Sequence, residues 1–132
     1  PQALGELMRF AAGGGAAGGL LRYAGRDFEL RGARIRRGQM LLLSFGSANR
    51  DPEVFPDPDR LDLERDTRDS LVFGHGAHYC LGANLAKQEM GEMLDAALDV
   101  VTPGSRLRPD LQETRQMGLS RRPCTLPIEI AG

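Results

Sequence analysis

The sequence predicts an α+β fold in which short antiparallel strands accompany one long amphipathic helix. The helix is predicted over residues 81–101, where apolar side chains recur on one helical face and charged side chains lie opposite. Strands are predicted where apolar and polar residues alternate, first over residues 27–44 and again over 119–130. A chain of 132 residues has the usual length of a single domain, so we expect one domain spanning residues 1–132.

The first twenty residues predict a short helix followed by a flexible connector. Leu4, Leu7 and Met8 have the i, i+3, i+4 spacing of one helical face, which indicates a helix over residues 2–10. Five of the 17 glycines lie in the alanine–glycine tract that follows, and each glycine costs a helix about 1 kcal/mol relative to alanine. We therefore interpret residues 10–20 as an Ala/Gly connector, for which a natural deletion and an engineered linker are both open explanations.

Two turn sequences divide residues 27–44 into the strands of a small antiparallel β-meander. Turns are expected at 31–32 and 37–38, where arginine is followed by glycine. The continuous apolar run at 40–43 predicts one well-buried strand. Residues 59–70 carry so many charges that we expect an irregular and well-solvated stretch.

The remaining elements are a short helix over residues 47–50, the long helix and a strand-like tail. Pro127 has no amide proton for a central ladder, so the tail is expected to form the edge of a C-terminal β-hairpin. Cys124 lies on the apolar side of the alternation, where packing in the core is the expected role. The core face of the long helix is expected to consist of Leu85, Ala86, Met90, Met93, Leu94, Ala97, Leu98 and Val101.

Composition excludes several classes of function. A net charge of −1 gives no positive surface for nucleic acid, and no apolar run approaches the ~18 residues of a membrane-spanning helix. We expect neither nucleic acid nor a membrane as a partner. Two cysteines are too few for a disulfide framework, which favours a reducing, cytoplasmic location.

The most informative segment is a glycine-rich loop at residues 73–82, which carries Cys80 directly before the long helix. Glycines let a backbone approach a bulky ligand, and the amino-terminal end of a helix stabilises a thiolate. One cysteine without further ligands does not suit structural zinc or an iron–sulfur cluster. A single thiolate does suit a metal that another scaffold already holds, which indicates haem.

This loop resembles the haem-ligand loop of cytochrome P450 enzymes. From Phe73 onward the sequence reads Phe, Gly, x, Gly, x, His, x, Cys, x, Gly, and Leu85-Ala86 follows. The resemblance implies haem b as the cofactor, with Cys80 as metal ligand and catalytic residue and with Arg22 and His78 as partners of the haem propionates. Cofactor-binding residues implied by the resemblance are Arg22, Phe73, Gly74, His78, Cys80, Gly82 and Ala86.

Other segments resemble the carboxy-terminal part of the same family in the same order. Glu6 and Arg9 match its Glu-x-x-Arg helix, and the segment around Arg60 is similar to its Pro-x-Arg-Phe segment. The resemblance implies that these three residues form a buried ion network that serves folding. Residues 47–52 are also similar to a family segment. The central oxygen-activating helix of the family has no counterpart in this sequence.

The resemblance implies haem-thiolate oxidation of small organic substrates, with a thiolate that favours O–O cleavage of bound peroxide. We expect peroxide to serve as oxidant more readily than dioxygen with a ferredoxin-type electron donor. We also expect an open haem face, or a homodimer that covers it. The alternatives are a truncated or designed haem-binding module without efficient turnover and, in a different class, a cysteine hydrolase using Cys80 and His78.

Overall fold

A computed structural model describes residues 2–12, 19–111, 114–117, 120–123, 125 and 127–131. The helices within them are α1 (Gln2–Ala12), α2 (Phe45–Ala48) and α3 (Ala83–Val100), with 3-10 turns at Gly76–His78 and Pro109–Leu111. The strands are β1 (Gly19–Tyr23), β2 (Phe28–Leu30), β3 (Ala33–Ile35), β4 (Met40–Ser44), β5 (Arg106–Leu107), β6 (Thr114–Met117), β7 (Ser120–Pro123) and β8 (Ile128–Glu129). The fold is therefore α+β, built from short antiparallel strand pairs.

The predicted β-meander is wrong in its connectivity. Strands β2 and β3 form a hairpin, whereas β4 pairs with β1, so that one strand pair is nested inside the other. In the outer pair Tyr23 lies opposite Met40 and Gly19 opposite Ser44. Because β1 includes Gly19, which the sequence assigned to the connector, local patterns gave no sign that a partner for β4 lay so early in the chain.

The first helix and the connector also differ in extent from the prediction. Helix α1 continues to Ala12, and β1 begins at Gly19, so both ends of the predicted connector 10–20 belong to regular elements. Residues 13–18, between them, lie outside the described residues. Helix α2 begins two residues before the predicted range because the Ser44 hydroxyl accepts a hydrogen bond from the Ser47 amide at 3.2 Å and caps it.

The tail does not form a single edge strand. It contains β7, which pairs with β6, and β8, which pairs with the distant β5. Pro127 lies between these strands, and its carbonyl accepts a hydrogen bond from the Arg108 amide at 2.9 Å. Cys124, predicted to pack in the core, lies outside the described residues.

Two predicted core surfaces are exposed. Strand β4 was expected to be well buried, yet Leu42 is 66% exposed. Helix α3 has nearly its predicted length, but Met93 on its apolar face is 71% exposed and Leu98 is exposed too. Hydrophobic periodicity therefore predicted β4 and α3 as elements but did not predict the exposure of these side chains. Among the residues that the structure describes, no helix has the length and apolar composition of a membrane-spanning segment.

The interior is centred on charge. The buried hydrophobic residues that the structure describes are Met8, Ala24, Phe55 and Ala83, and the fully buried polar ones are Glu6, Arg9 and Asn49. Arg9 and Glu6 lie one turn apart on α1 and form a two-pronged pair, Nε to Oε2 at 2.7 Å and Nη2 to Oε1 at 2.8 Å. The guanidinium also donates to the Asn49 carbonyl at 2.6 Å and the Pro58 carbonyl at 2.9 Å. The Phe55 ring lies 5.2 Å from the guanidinium carbon.

The third charged partner is Arg65, and the prediction of Arg60 was wrong. Arg65 Nε donates to Glu6 Oε1 at 3.1 Å, whereas Arg60 is exposed and contributes its carbonyl oxygen, to which Arg65 donates at 3.2 Å. The Asp62 amide binds the same Glu6 oxygen at 3.1 Å. A turn from Asp62 to Arg65 therefore places the later arginine over the carboxylate, inside the stretch that the sequence predicts to be irregular and well solvated.

This network perturbs both charges of the pair. The hydrogen bond from Arg9 lowers the pKa of Glu6 from 4.5 to about 2, against burial, which acts to raise it. The Asp62 amide and Arg65 lower the pKa of Glu6 further. The bond to Glu6 raises the pKa of Arg9 in turn, so both groups stay charged in the folded chain at neutral pH.

The acid limb of stability should report this carboxylate. Because folding lowers the pKa of Glu6 from 4.5 to about 2, its contribution is present above pH 4.5 and is lost as pH falls through 2. We expect the free energy of unfolding to fall by about 3 kcal/mol across that interval. Urea unfolding measured at a series of pH values checks this.

Two variants define the control for this prediction. Glu6→Gln should lose that part of the pH dependence, while Glu53→Gln, which removes an exposed partner of Arg31, should retain it. An unchanged acid limb in Glu6→Gln would contradict the assignment.

A pair of arginine variants tests the identity of the third partner. Arg65→Met leaves a buried carboxylate oxygen with one donor fewer, so we expect a loss of about 1–3 kcal/mol in the free energy of unfolding. Arg60→Met should change it by less than about 0.5 kcal/mol, since that side chain is exposed. Equal losses in the two variants, measured by urea unfolding at neutral pH, would refute the assignment.

Candidate functional site

The cysteine loop is shaped by two left-handed glycines. Gly74 and Gly76 have φ of 73° and 69°, values that residues with a Cβ adopt rarely. A single 3-10 turn, Gly76–His78, closes with the Tyr79 amide donating to the Gly76 carbonyl at 3.0 Å. The chain thus reverses within a few residues and returns toward Phe73.

A second hydrogen bond closes the loop at the cysteine itself. The Cys80 amide donates to the Phe73 carbonyl at 2.8 Å, and the Cys80 carbonyl accepts from the Ala83 amide at 3.2 Å. The first contact ties the cysteine to the start of the loop, and the second ties it to the start of α3. Cys80 is a free and exposed cysteine, held immediately before a helix amino terminus.

Aromatic contacts attach the loop to the long helix. The rings of Phe73 and Tyr79 lie 6.3 Å apart at an interplanar angle of 59°, a tilted arrangement that aromatic pairs favour. Lys87 Nζ, one turn into α3, lies 5.5 Å from the centre of the Phe73 ring. Phe73 therefore connects both ends of the loop with the helix that follows.

The structure brings most of the predicted cofactor-binding residues into this one segment. His78 and Cys80 are exposed, and a Cβ added at Gly82 would meet nothing within 4 Å. Ala86 is half-buried in the first turns of α3, where its amide donates to the Gly82 carbonyl at 2.9 Å. A Cβ added at Gly74 would lie 3.6 Å from the His78 carbonyl oxygen, which is ordinary van der Waals contact between the two sides of the loop.

Arg22 lies apart from the loop, on strand β1. Its side chain is exposed, and Nη1 donates to the carbonyl of the adjacent Leu21 at 2.9 Å. Within the described part of the chain no carboxylate pairs with it. A guanidinium of this kind has its charge available for an external carboxylate, and its role toward a propionate stays a prediction.

The metal-binding side chains near Cys80 suit a metal that a cofactor already coordinates. Where the structure describes side chains, no three or more histidine, cysteine, aspartate or glutamate residues gather into a metal-binding group. Cys80 instead offers one exposed sulfur beside glycines with open space around them. These residues fit haem, which needs a single thiolate from the protein and room for a flat macrocycle.

A cavity of about 1220 Å³ lies beside the loop, between α1, residues 66–75 and α3. Leu4 and Met8 contribute to its wall from α1, and Lys87 from α3. It reaches Phe73 and Tyr79 but does not include Cys80 among its lining residues. Cys80 is exposed and lies outside the wall of this cavity.

Sequence reasoning missed two residues that support this site. The sequence pattern places Arg65 in a solvated charge run and marks Asn49 only as part of the segment 47–52. Asn49 is fully buried, and its Oδ1 accepts the Leu71 amide at 2.7 Å and the Ser70 hydroxyl at 3.2 Å. Neither residue type nor spacing distinguishes these positions from exposed ones, so no local signal could have found them.

Comparison with known proteins identifies the family of the chain. The sequence profile named "Cytochrome P450" matches residues 1–114. The chain is 42% identical over 127 residues to a biflaviolin synthase of Streptomyces coelicolor and 45% identical over 131 residues to mycinamicin IV hydroxylase/epoxidase of Micromonospora griseorubida. The alignments cover 95% and 97% of this chain but 31% and 32% of those proteins, so the chain spans about a third of their length.

Structural comparison gives the same result. A solved structure of a mutant of the mixed-function P450 MycG in complex with mycinamicin IV superposes with a TM-score of 0.84 at 42% identity. The match covers 98% of this chain and 33% of that one. Sequence profile, curated relatives and fold agree over the region that contains the cysteine loop, and the chain belongs to the cytochrome P450 family.

Proposed function

We propose that this chain binds haem b through the Cys80 thiolate and supports the oxygenation of small organic molecules. The observation that carries the proposal is the exposed sulfur of Cys80, held by backbone hydrogen bonds in a glycine-rich loop directly before α3. Membership of the cytochrome P450 family supports it, since that family implies a haem cofactor.

Each residue of the site has a distinct task in this proposal. Cys80 provides the single protein ligand, and the hydrogen bond from its amide to Phe73 orients it. The exposed side chains of His78 and Arg22 are available to bind the propionates. When bound, haem supplies the redox chemistry of oxygen transfer, while the protein supplies ligand, orientation and electrostatics.

The substrate class and oxidant follow from the relatives and from the open site. One relative is named for hydroxylation and epoxidation of mycinamicin IV, and we propose that this chain likewise acts with small organic substrates. We also propose peroxide as the oxidant, and we expect poor substrate selectivity because Cys80 is exposed. The ferredoxin-type donor, the homodimer over the haem face and the cytoplasmic location stay predictions of the sequence.

The geometry disfavours the cysteine hydrolase. In that reading His78 would act as the base for Cys80, which requires contact between the imidazole and the sulfur. No hydrogen bond joins these two side chains in the described structure, although the residues are two positions apart. The 3-10 turn ends at His78, and the extended residue Tyr79 follows before the cysteine.

A pair of cysteine variants tests thiolate ligation. Purified chain is titrated with haemin, reduced under carbon monoxide and examined for the absorption band characteristic of thiolate-ligated ferrous haem. We expect the wild type and Cys124→Ser to show this band and Cys80→Ser to lose essentially all of it, because a hydroxyl is a far weaker ligand for iron than a thiolate. Retention of the band in Cys80→Ser would eliminate the proposal.

A turnover measurement separates the oxygenase from a haem-binding module without efficient turnover. The module has its own support, since the cavity described above does not reach Cys80. Haem-loaded chain, Cys80→Ser loaded in the same way and free haemin are compared at equal iron concentration with hydrogen peroxide and a simple organic substrate. We expect more oxygenated product per haem from the wild type than from either control, and rates equal to those of free haemin would establish the module.

A further inference from the structure

Asn49 connects the buried ion pair to the cysteine loop. We infer that it is a positioning residue for the proposed haem ligand, acting through the backbone of residues 70–80 and making no contact with the cofactor. The inference rests on the proposed function for its consequence at the haem. Its structural part concerns only this chain and can be tested without a cofactor.

The backbone of Asn49 is fixed from two sides. Its amide donates to the Phe45 carbonyl at 2.9 Å as the carboxy-terminal cap of α2. Its carbonyl accepts the 2.6 Å hydrogen bond from Arg9 Nη1, and that guanidinium is itself fixed by Glu6. Because Asn49 is fully buried, water does not compete for the groups that form these hydrogen bonds.

The side chain of Asn49 connects this fixed backbone to the cysteine loop by hydrogen bonds. Oδ1 accepts from the Leu71 amide at 2.7 Å, and the Leu71 carbonyl accepts from the Gly74 amide at 3.0 Å. Phe73, between these two residues, accepts the closing hydrogen bond from the Cys80 amide. The chain of contacts from Arg9 to the ligand residue therefore runs through one side-chain oxygen, that of Asn49.

The side-chain nitrogen of Asn49 indicates that the oxygen is the atom with the structural role. Asn49 Nδ2 is buried and has no hydrogen-bond partner within the described residues. A buried donor without a partner destabilises a fold, so an asparagine whose nitrogen is unused is favourable only for what its oxygen does. That oxygen holds Leu71 and, more weakly, Ser70 at 3.2 Å.

Site-resolved amide hydrogen exchange on the cofactor-free chain tests the inference. Asn49→Ala removes the acceptor, and we expect exchange at Gly74 and Cys80 to accelerate roughly tenfold more than at Ala24, whose amide donates to the Gln39 carbonyl outside this chain of contacts. Met8→Ala is the matched control, since it removes a buried apolar side chain that takes part in none of these hydrogen bonds. It should accelerate all three amides in parallel.

The opposite result is equally clear. Parallel acceleration in Asn49→Ala, as in the control, would overturn the inference. If Asn49→Ala does not fold, the wild type alone decides the question: the amides of Leu71, Gly74 and Cys80 should open as one unit with the same denaturant dependence. Separate openings of Leu71 and Cys80 would overturn it as well.

A spectroscopic measurement connects the inference to the ligand. In haem-loaded protein under carbon monoxide, Asn49→Ala should show a reduced fraction of thiolate-ligated ferrous haem, while Met8→Ala of similar stability should not. Equal fractions in the two variants would refute the effect on the ligand. If the wild type itself lacks the thiolate band, the proposed function fails, whereas the exchange experiment still decides the role of Asn49.

Discussion

The bidentate pair between Glu6 and Arg9 is the interaction on which the rest of the structure depends. Burying two charges is unfavourable unless their remaining hydrogen-bonding atoms find partners, and here backbone groups provide them. The carbonyls of Asn49 and Pro58 and the amide of Asp62 all bind to the pair. These residues lie in segments with little regular structure. The ion pair on α1 therefore holds these segments in place, as strand pairing or an apolar core does in other proteins.

Apolar side chains contribute little to the interior that the structure describes. Tyr23 and Met40 are exposed side by side on the β1–β4 pair, and Met93 is exposed on α3. Side chains that stay in contact with water gain little hydrophobic stabilisation, so the hydrogen bonds of the buried charged network carry more of the packing among the described segments.

Local chemistry made part of this structure predictable. The turn at Arg31-Gly32, where both residues have positive φ, follows from what a two-residue hairpin requires, and the length of α3 follows from its periodicity. The partner of β4 and the burial of its side chains depend on contacts between distant segments, which no local pattern encodes. Choosing Arg60 over Arg65 failed for the same reason, since the answer depends on how the chain turns at Asp62.

The candidate site also has one part that local sequence predicts and another that depends on contacts between distant segments. A candidate ligand could be proposed from the sequence because a cysteine, two glycines that prove to be left-handed and a helix start lie within ten residues. Its support could not, because Asn49 lies over twenty residues away and acts through a single oxygen. A short motif can thus specify which atom binds a cofactor, whereas the position of that atom depends on a buried network gathered from the whole chain. Replacing Cys80 should therefore remove the sulfur itself, whereas replacing Asn49 should leave the sulfur in the chain but no longer hold it in a fixed position.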